Sequence, residues 1–367
     1  LSTYRAQRRG GRGRSGMATH EEDFVSQVFV ASTHAPMLFF TASGRVYKLK
    51  VYRLPIGTPQ ARGKAMINLL PNLAPGERIS AVTPLPEDDA AWAENTVVFA
   101  TAKGNVRRNA LSDFASVLAN GKIAMKFEGE DADDRLIAAE IASEGDDVLL
   151  ATRNGKCIRF PVEGVRIFSG RSSVGVRGIR LGEGDTVISM SLLRHVDVPS
   201  EQRYGYLRLA TERRRGGVEE IETEEGDGEN GIAAAVSEEQ YADLAAREQF
   251  VLTLTEKGFG KRSSAYDYPI TGRGVQGREN NDIGKGQGPT AAVFPVADGD
   301  QIMLVTDGGT VIRVPVKDIS IRRRRSGGVV VFKVGEGERV MSVARLAETG
   351  ENGDAGEDAP GGEGGEA

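Results

Sequence analysis

The feature that most constrains this chain is an internal repeat of a short strand, a glycine-containing turn and a second short strand. The first run of each unit is apolar and rich in β-forming residues, and the second alternates apolar with basic side chains. This pattern is typical of a β-hairpin with one buried face. Five copies are clear, at residues 38–49, 97–108, 148–159, 251–262 and 303–313.

The turn glycines of these units set the period of the repeat. Gly44, Gly104, Gly155, Gly258 and Gly309 are separated by 60, 51, 103 and 51 residues. A period near 50 with several strands per unit is typical of propeller blades, because one blade cannot bury its sheet face without its neighbours. We therefore predict an all-β, propeller-like fold.

The longest interval, between Gly155 and Gly258, has two interpretations. It holds a degenerate blade, or one blade is enlarged by an insertion. Residues 212–248 carry twelve acids against four arginines, and 238–247 have helical propensity without strand character. We predict an acidic, partly helical insertion at 212–248 of a domain that spans 1–347. Residues 348–367 carry seven acids and no bases, and there we predict a disordered acidic tail.

A second element recurs between the hairpins, and we call its copies the basic segments. Each is rich in glycine and basic residues, and most run into a short β stretch. The copies are residues 8–17, 62–69, 120–127, 171–180, 272–277 and 323–332. Six such segments at one position of the repeat predict a positive belt around a disc.

The charge of the chain is unevenly distributed. The formal net charge is −5, but without the acidic insertion and tail the remainder carries +10. A basic body attracts polyanions. A rigid disc ringed by arginine and lysine suits a long, bent polyanion such as duplex DNA, and contacts to phosphates alone are largely independent of base sequence. The alternative is that each basic residue only solvates an exposed strand face.

Membrane and metal sites find no support in the sequence. No run approaches the roughly 18 apolar residues of a membrane helix, so we expect no membrane partner. Cys157 is the single cysteine, and the three histidines, His20, His34 and His195, lie far apart with no metal-ligand spacing.

Nucleotide binding and catalysis are not supported either. Residues 11–16 and 272–277 have the glycine spacing of a dinucleotide motif, but neither stands at a strand-to-helix turn. A propeller enzyme would need carboxylates or metal ligands that converge on a central channel. A protein-binding scaffold would favour exposed aromatics at the repeated loops, and Trp92 is the only tryptophan.

One stretch, Gln7-Arg8-Arg9-Gly10-Gly11-Arg12-Gly13, is typical of an anion-binding loop, because glycines let the backbone approach a phosphate and arginines present guanidinium forks. Composition alone leaves a flexible arginine-glycine linker or RNA-binding tail as the alternative. The stretch matches the seven-residue box of the C-terminal domain of the DNA gyrase A protein, with Arg12 where lysine is common. The repeats at 40–41, 44–47, 68–71 and 175–181 also resemble that family, and the resemblance covers nearly the whole chain.

The resemblance implies a six-bladed β-pinwheel that wraps duplex DNA around its rim with positive handedness. The chain begins at Leu1, just before the box, so we expect a fragment whose first blade is incomplete. No catalysis and no cofactor are expected on this chain, because the catalytic tyrosine would lie upstream of Leu1, and the ATP and Mg²⁺ of ATP-driven negative supercoiling would be bound elsewhere in the holoenzyme.

The resemblance also implies partners and a location. The partners are double-stranded DNA, the remainder of the gyrase A protein and the gyrase B protein in an A2B2 heterotetramer, in the cytoplasm on the bacterial chromosome. The corresponding domain of topoisomerase IV, which generally lacks the box, is the alternative.

Candidate DNA-binding residues follow from the same resemblance. The box would lie where DNA enters or where the ring is latched, and it comprises Gln7, Arg8, Arg9, Gly10, Gly11, Arg12 and Gly13. Basic residues of the other repeats would continue the path as phosphate contacts: Arg45, Lys48, Arg62, Lys64, Arg107, Arg108, Lys122, Arg177, Arg273 and Arg323.

Overall fold

The computed structural model of the chain describes residues 9, 14–15, 31–57, 64–70, 72–86, 88, 91–214, 234–281 and 286–347. The α-helices are α1 (Ala91–Glu94), α2 (Ser200–Arg214) and α3 (Glu238–Arg247). The strands are β1 (Arg14–Ser15), β2 (Pro36–Thr41), β3 (Arg45–Lys50), β4 (Ile79–Pro84), β5 (Thr96–Thr101), β6 (Asn105–Ala110), β7 (Lys122–Ile123), β8 (Leu136–Ala142), β9 (Asp146–Thr152), β10 (Lys156–Pro161), β11 (Val176–Arg177), β12 (Val187–Arg194), β13 (Phe250–Thr255), β14 (Phe259–Ser264), β15 (Arg278–Glu279), β16 (Thr290–Val296), β17 (Gln301–Thr306), β18 (Thr310–Pro315), β19 (Val329–Val330) and β20 (Val340–Leu346). None of the described helices is long and apolar enough to span a membrane.

The strands form five four-stranded antiparallel sheets within the described residues. Their strand orders are β4-β2-β3-β7 in the first sheet, β8-β5-β6-β11 in the second, β12-β9-β10-β15 in the third, β16-β13-β14-β19 in the fourth and β20-β17-β18-β1 in the fifth. In each sheet the two middle strands are one of the hairpins that the repeat predicts. The all-β, propeller-type prediction is therefore confirmed.

A threonine and a glycine shape the turn of every hairpin. The threonine hydroxyl accepts a hydrogen bond from the backbone N–H four residues later, as from Asn105 to Thr101 at 3.1 Å, and this contact recurs in all five sheets. The glycine has positive φ, for example +85° at Gly104, which a residue with a Cβ rarely adopts. The short β-rich runs and the turn glycine thus specify the hairpin locally.

The outer strand of each sheet comes from a different repeat. Four two-residue strands each belong to one repeat but pair with the hairpin of the preceding repeat. They are β7, β11, β15 and β19, which pair with β3, β6, β10 and β14, respectively. The fifth sheet is completed from the start of the chain, since Arg14 of β1 lies opposite Val311 of β18. Each of these strands lies within a basic segment or directly after one. Five of the six basic segments are therefore connections that cross between neighbouring blades, whereas the described residues of segment 62–69 carry no strand.

The core lies between the sheets, as expected for stacked blades. Between the first and second sheets, Phe40, Phe99 and Phe114 meet edge to face with ring centroids 5.4–5.9 Å apart. Similar apolar clusters join the second sheet to the third, the third to the fourth and the fourth to the fifth.

Helices α2 and α3 lie on the connection from β12 to β13. The helical segment begins at Ser200, ahead of the predicted insertion at 212–248, and residues 215–233 lie outside the described part of the chain. The two helices pack on the repeat that follows, where the hydroxyl of Tyr266 donates to the carbonyl of Leu244 at 3.0 Å. Ser237 and Gln240 cap α3 reciprocally, which satisfies amide donors at its N-terminus. The predicted acidic tail also lies outside the described residues.

Candidate nucleic-acid interface

Three basic segments touch one another along the edge of neighbouring blades. The amide of Gly274 donates to the carbonyl of Gly178 at 2.6 Å, and the amide of Arg180 donates to that of Val275 at 2.9 Å. Farther along, the carboxylate of Glu279 accepts a hydrogen bond from Arg325 at 2.8 Å. Segments 171–180, 272–277 and 323–332, with the strands they carry, form a continuous row.

Several predicted contact residues lie on these crossings or beside them, with their side chains held by backbone carbonyls. Arg177 is exposed and donates to Lys103 O at 2.9 Å. Arg273 is exposed and donates to Gly164 O at 2.8 Å and to Arg177 O at 3.2 Å. Arg45 donates to Asn120 O at 3.0 Å. A carbonyl orients a guanidinium group without neutralising its charge, so these contacts present oriented cations.

Arg323 differs from these residues because it is paired with an acid. It is exposed, and its Nη2 lies 3.0 Å from a carboxylate oxygen of Asp267. The charge that it presents to a polyanion is therefore partly compensated.

The predicted lysines are less uniform. Lys48 is half-buried, donates to Ala115 O at 2.8 Å and stacks over the Trp92 ring at 4.7 Å. Lys122 donates to Asp113 O at 2.8 Å, and burial lowers the pKa of its ammonium group. Lys64 is exposed. Lysines at these positions present a positive charge with little geometric constraint.

Arg107 and Arg108, predicted as phosphate contacts, have buried side chains. Arg107 is 0% exposed, and its guanidinium donates to the carbonyls of Ser173, at 2.5 Å, and Gly170. Burial, followed by the nearby Arg171, lowers the pKa of Arg107 to about 10, so it stays charged at neutral pH. Arg108 is 3% exposed and is paired with Glu144. Both cations bind groups inside the domain rather than facing solvent.

The box at residues 7–13 lies outside the described part of the chain except for Arg9, which is exposed in a turn. Arg62 also lies outside it. The strand that follows the box, β1, is the outer strand of the fifth sheet. The backbone at Arg14 is thereby fixed at the edge where the other basic segments also cross.

The sequence prediction missed some basic residues in the same places. Arg180 and Arg322 are exposed and lie within or beside basic segments. Their signal was available, because each is close in sequence to a selected arginine. Lys261 is 1% exposed and donates to Asn280 O at 2.9 Å and to Ser326 O at 2.5 Å. Its position three residues after Gly258 matches that of Arg107 after Gly104, which marks it as a buried cation.

No group of three or more histidine, cysteine, aspartate or glutamate side chains within the described ranges could hold a metal ion. The acids at blade turns have structural partners. Asp134, for example, accepts a hydrogen bond from the amide of Lys103 at 2.9 Å.

Comparison with known proteins gives consistent matches. A family model described as "DNA gyrase C-terminal domain, beta-propeller" matches residues 1–32, 36–86, 95–143, 146–194, 249–296 and 300–347. The A protein of DNA gyrase from Rickettsia bellii (strain RML369-C) is 45% identical over 352 residues, which are 96% of this chain and 38% of the relative. This chain thus spans less than two-fifths of that relative's length.

Two solved structures share the architecture. The structure of a DNA gyrase A C-terminal domain has a TM-score of 0.64 at 19% identity and covers 94% of both chains. The crystal structure of the C-terminal domain of DNA topoisomerase IV has a TM-score of 0.61 at 19% identity, with 86% of this chain and 80% of the other covered. At this identity the two structures show the fold alone.

Proposed function

This chain belongs to the family of DNA gyrase C-terminal β-propeller domains, and on that premise we propose that it binds duplex DNA along its basic segments and bends it with positive handedness. The observation that carries the proposal is the continuous row of segments 171–180, 272–277 and 323–332, joined by the 2.6 Å hydrogen bond from Gly274 to Gly178 and the 2.8 Å hydrogen bond from Arg325 to Glu279. A duplex that follows this row meets cations from successive blades.

Bending a duplex requires contacts that are spread along its path. Smooth bending of a 20–30 bp site by 40–90° costs about 1–6 kcal/mol. Each phosphate that meets a cation releases counterions, and this release offsets the bending cost in a salt-dependent way. A rim of oriented arginines on a row of packed blades satisfies that requirement. The contacts carry no base readout, so binding is largely independent of sequence.

The proposed contact set comprises the exposed and half-buried predicted residues. These are Arg45, Lys48, Lys64, Lys122, Arg177, Arg273 and Arg323, to which Arg180 and Arg322 are added because they are exposed on the same crossings. Arg107 and Arg108 are left out as direct contacts, because both side chains are buried. Their proposed role is to fix the backbone beneath the contact residues.

The box and Arg62 complete the proposed path. Residues 7–13 immediately precede β1, the outer strand of the fifth sheet. A duplex that leaves the row at 323–332 reaches the edge of the fifth sheet next, which supports a role for the box where DNA enters or leaves the wrap.

The wider assembly is also a proposal, since the chain spans 38% of its R. bellii relative. In that proposal the chain acts with the remainder of the gyrase A protein and with the gyrase B protein in an A2B2 assembly on the bacterial chromosome in the cytoplasm. The chain contributes the wrap, whereas strand cleavage, ATP and Mg²⁺ belong to other parts of the assembly.

The test is the linking-number change that is trapped when the chain binds relaxed plasmid and a type I topoisomerase relaxes the remaining DNA. We expect a shift to positive values that disappears at high salt. The matched variant changes Arg8, Arg9 and Arg12 together to Ala. It should keep its circular dichroism spectrum, lose the shift and lower the slope of log K against log salt by up to about 2–3.

Two results would count against parts of this proposal. DNA binding without any linking-number shift would favour the topoisomerase IV-type alternative. A normal shift in the triple variant would remove the box from the wrapping path.

A further inference from the structure

A cavity of about 510 Å³ opens between the start of α2 and the chain that crosses from the fourth hairpin to the third sheet. Its walls include Arg159, His195, Arg203, Tyr204, Tyr268 and Arg278. Helix α2 lies between two segments that match the family model, at 146–194 and 249–296. The cavity therefore depends on the part of the chain that interrupts the repeats.

One of the arginines on the wall is already neutralised. Arg159 is 4% exposed, and its Nε lies 2.9 Å from a carboxylate oxygen of Asp147, which is itself fully buried. The other oxygen of Asp147 lies 2.8 Å from Nδ1 of His195. An ionised carboxylate only accepts hydrogen bonds, so Nδ1 carries the proton and the His195 ring is held in one orientation.

Arg203 lacks such a complement. Its guanidinium stacks on Tyr204, with Cζ 5.1 Å from the ring centroid. Its Nε is buried and donates no hydrogen bond to any described group. No ion pair joins Arg203 to a described residue, so the positive charge that it adds to the cavity wall is uncompensated there. Asp197 is the acid among the described lining residues, and it is exposed.

We propose that this cavity binds a phosphate group, with Arg203 as the main ligand, Arg278 beside it and the His195 ring as a neighbour whose signal reports binding. A guanidinium fork matches phosphate oxygens in geometry and charge. Ser200, the first residue of the 15-residue helix α2, also lies on the wall, so the positive end of the helix dipole faces the same space. The volume exceeds that of one phosphate and leaves room for the alcohol of a phosphate ester. The site goes beyond the proposed wrap and does not depend on it.

The test uses the histidine ring signals of the intact chain. The chain has three histidines, so His195 is assigned by comparison with His195→Gln. Inorganic phosphate is titrated at fixed pH and ionic strength, with chloride replaced. We expect a saturable shift of the His195 signal while His34 stays fixed. Arg203→Ala should weaken binding at least tenfold, the loss expected for one charge-assisted hydrogen bond.

Arg208→Ala is the matched control, because Arg208 lies on the same helix, is exposed and is paired with Glu212 at 3.1 Å. It should bind phosphate as the wild type does. A His195 signal that does not move through tens of millimolar phosphate would overturn the proposal. The same holds for a shift that Arg203→Ala leaves intact or that Arg208→Ala removes.

A second arm identifies the source of the phosphate. Short duplex DNA is added to the phosphate-saturated chain. If the His195 signal then no longer depends on the concentration of free phosphate, DNA has displaced that phosphate, and the site would be assigned to a backbone phosphate of DNA. Persistence of the shift alongside bound duplex would assign it to a free phosphate ester. Either outcome requires the saturable binding that the first arm measures.

Discussion

At the scale of single residues, two buried cations tie the blades to the crossings above them. Arg107 and Lys261 each lie three residues after a hairpin glycine and donate to carbonyls of the next repeat, Arg107 to Ser173 at 2.5 Å and Lys261 to Ser326 at 2.5 Å. A buried cation persists where its donors meet acceptors. These side chains hold the backbone on which the exposed arginines stand.

Because Arg107 is buried and Arg177 is exposed, we predict that replacing Arg107 lowers stability and that replacing Arg177 weakens DNA binding. Arg107→Met removes the buried guanidinium group that donates to the carbonyls of Gly170 and Ser173, so we expect the free energy of unfolding to fall by about 1–3 kcal/mol. The slope of log K for DNA binding against log salt should not change, because a buried Arg107 meets no phosphate. The measurements are urea denaturation and DNA binding over a salt series.

Arg177→Ala is the matched comparison, because Arg177 is exposed and bonded to one carbonyl. Its stability should stay within about 0.5 kcal/mol of wild type, and the salt slope should fall by about 0.9 if it meets one phosphate. If Arg107→Met instead lowered the salt slope at unchanged stability, Arg107 would return to the contact set.

At the scale of elements, the hairpin glycine has two tasks. Its positive φ makes the turn, and its carbonyl accepts two amides from the crossing chain, as Gly258 O does from Val331 and Phe332 at 2.9 and 3.1 Å. The crossing chain approaches so closely that a Cβ on Gly258 would lie 2.2 Å from Phe332 O. Only glycine combines this turn with this approach.

Gly258→Ala therefore should destabilise the domain more than the same change at a glycine that only makes a turn. Gly337 is the control, since its φ of +78° nearly equals the +79° of Gly258 and a Cβ there would meet nothing within 4 Å. Positive φ costs alanine about 1–2 kcal/mol at either site. We expect a further 1–3 kcal/mol or so at Gly258 from the steric overlap.

The two variants are compared by their denaturation midpoints, with hydrogen exchange of β19 reporting local detachment. Equal losses of stability would show that the crossing chain shifts to accommodate the methyl group of the Gly258→Ala variant without a steric cost.

Elements also show what the sequence could and could not predict. The hairpins were predictable because alternation and a turn glycine act within a dozen residues, and the repeated basic segments were visible for the same reason. The partner of a two-residue strand such as β11 was not, because nothing local says which sheet Val176 joins. Arg107 was assigned to the surface because the hairpin alone would leave it on an open edge, and the crossing chain covers that edge. The box prediction stays a prediction, since of its residues only Arg9 is described.

At the scale of the whole molecule, the strand exchange makes each blade depend on the next repeat, and the fifth sheet depends on the start of the chain. Arg14 and Ser15 pair with Val311 and Thr310. A chain that begins at residue 31 would leave β18 as an unpaired edge, and unpaired edges exchange faster and invite association.

We expect faster amide exchange in β18 of that shortened chain, measured by mass spectrometry, and more self-association in sedimentation. Strand β14 is the internal control, because its outer partner β19 is retained. Unchanged exchange at β18 would mean that β1 adds no protection to this edge.

The exchange of outer strands also has a consequence for synthesis on the ribosome. A hairpin that emerges early remains a three-stranded sheet until the following repeat has been translated. Strand β1 is made first and its partner β18 nearly last. At about 5–20 residues per second, roughly 15–60 s pass before the two can pair. The connection from β12 to β13, where α2 and α3 lie, carries no exchanged strand among its described residues. An insertion at this connection would increase the delay before β1 and β18 can pair, but it would remove none of the strand pairings that complete the sheets.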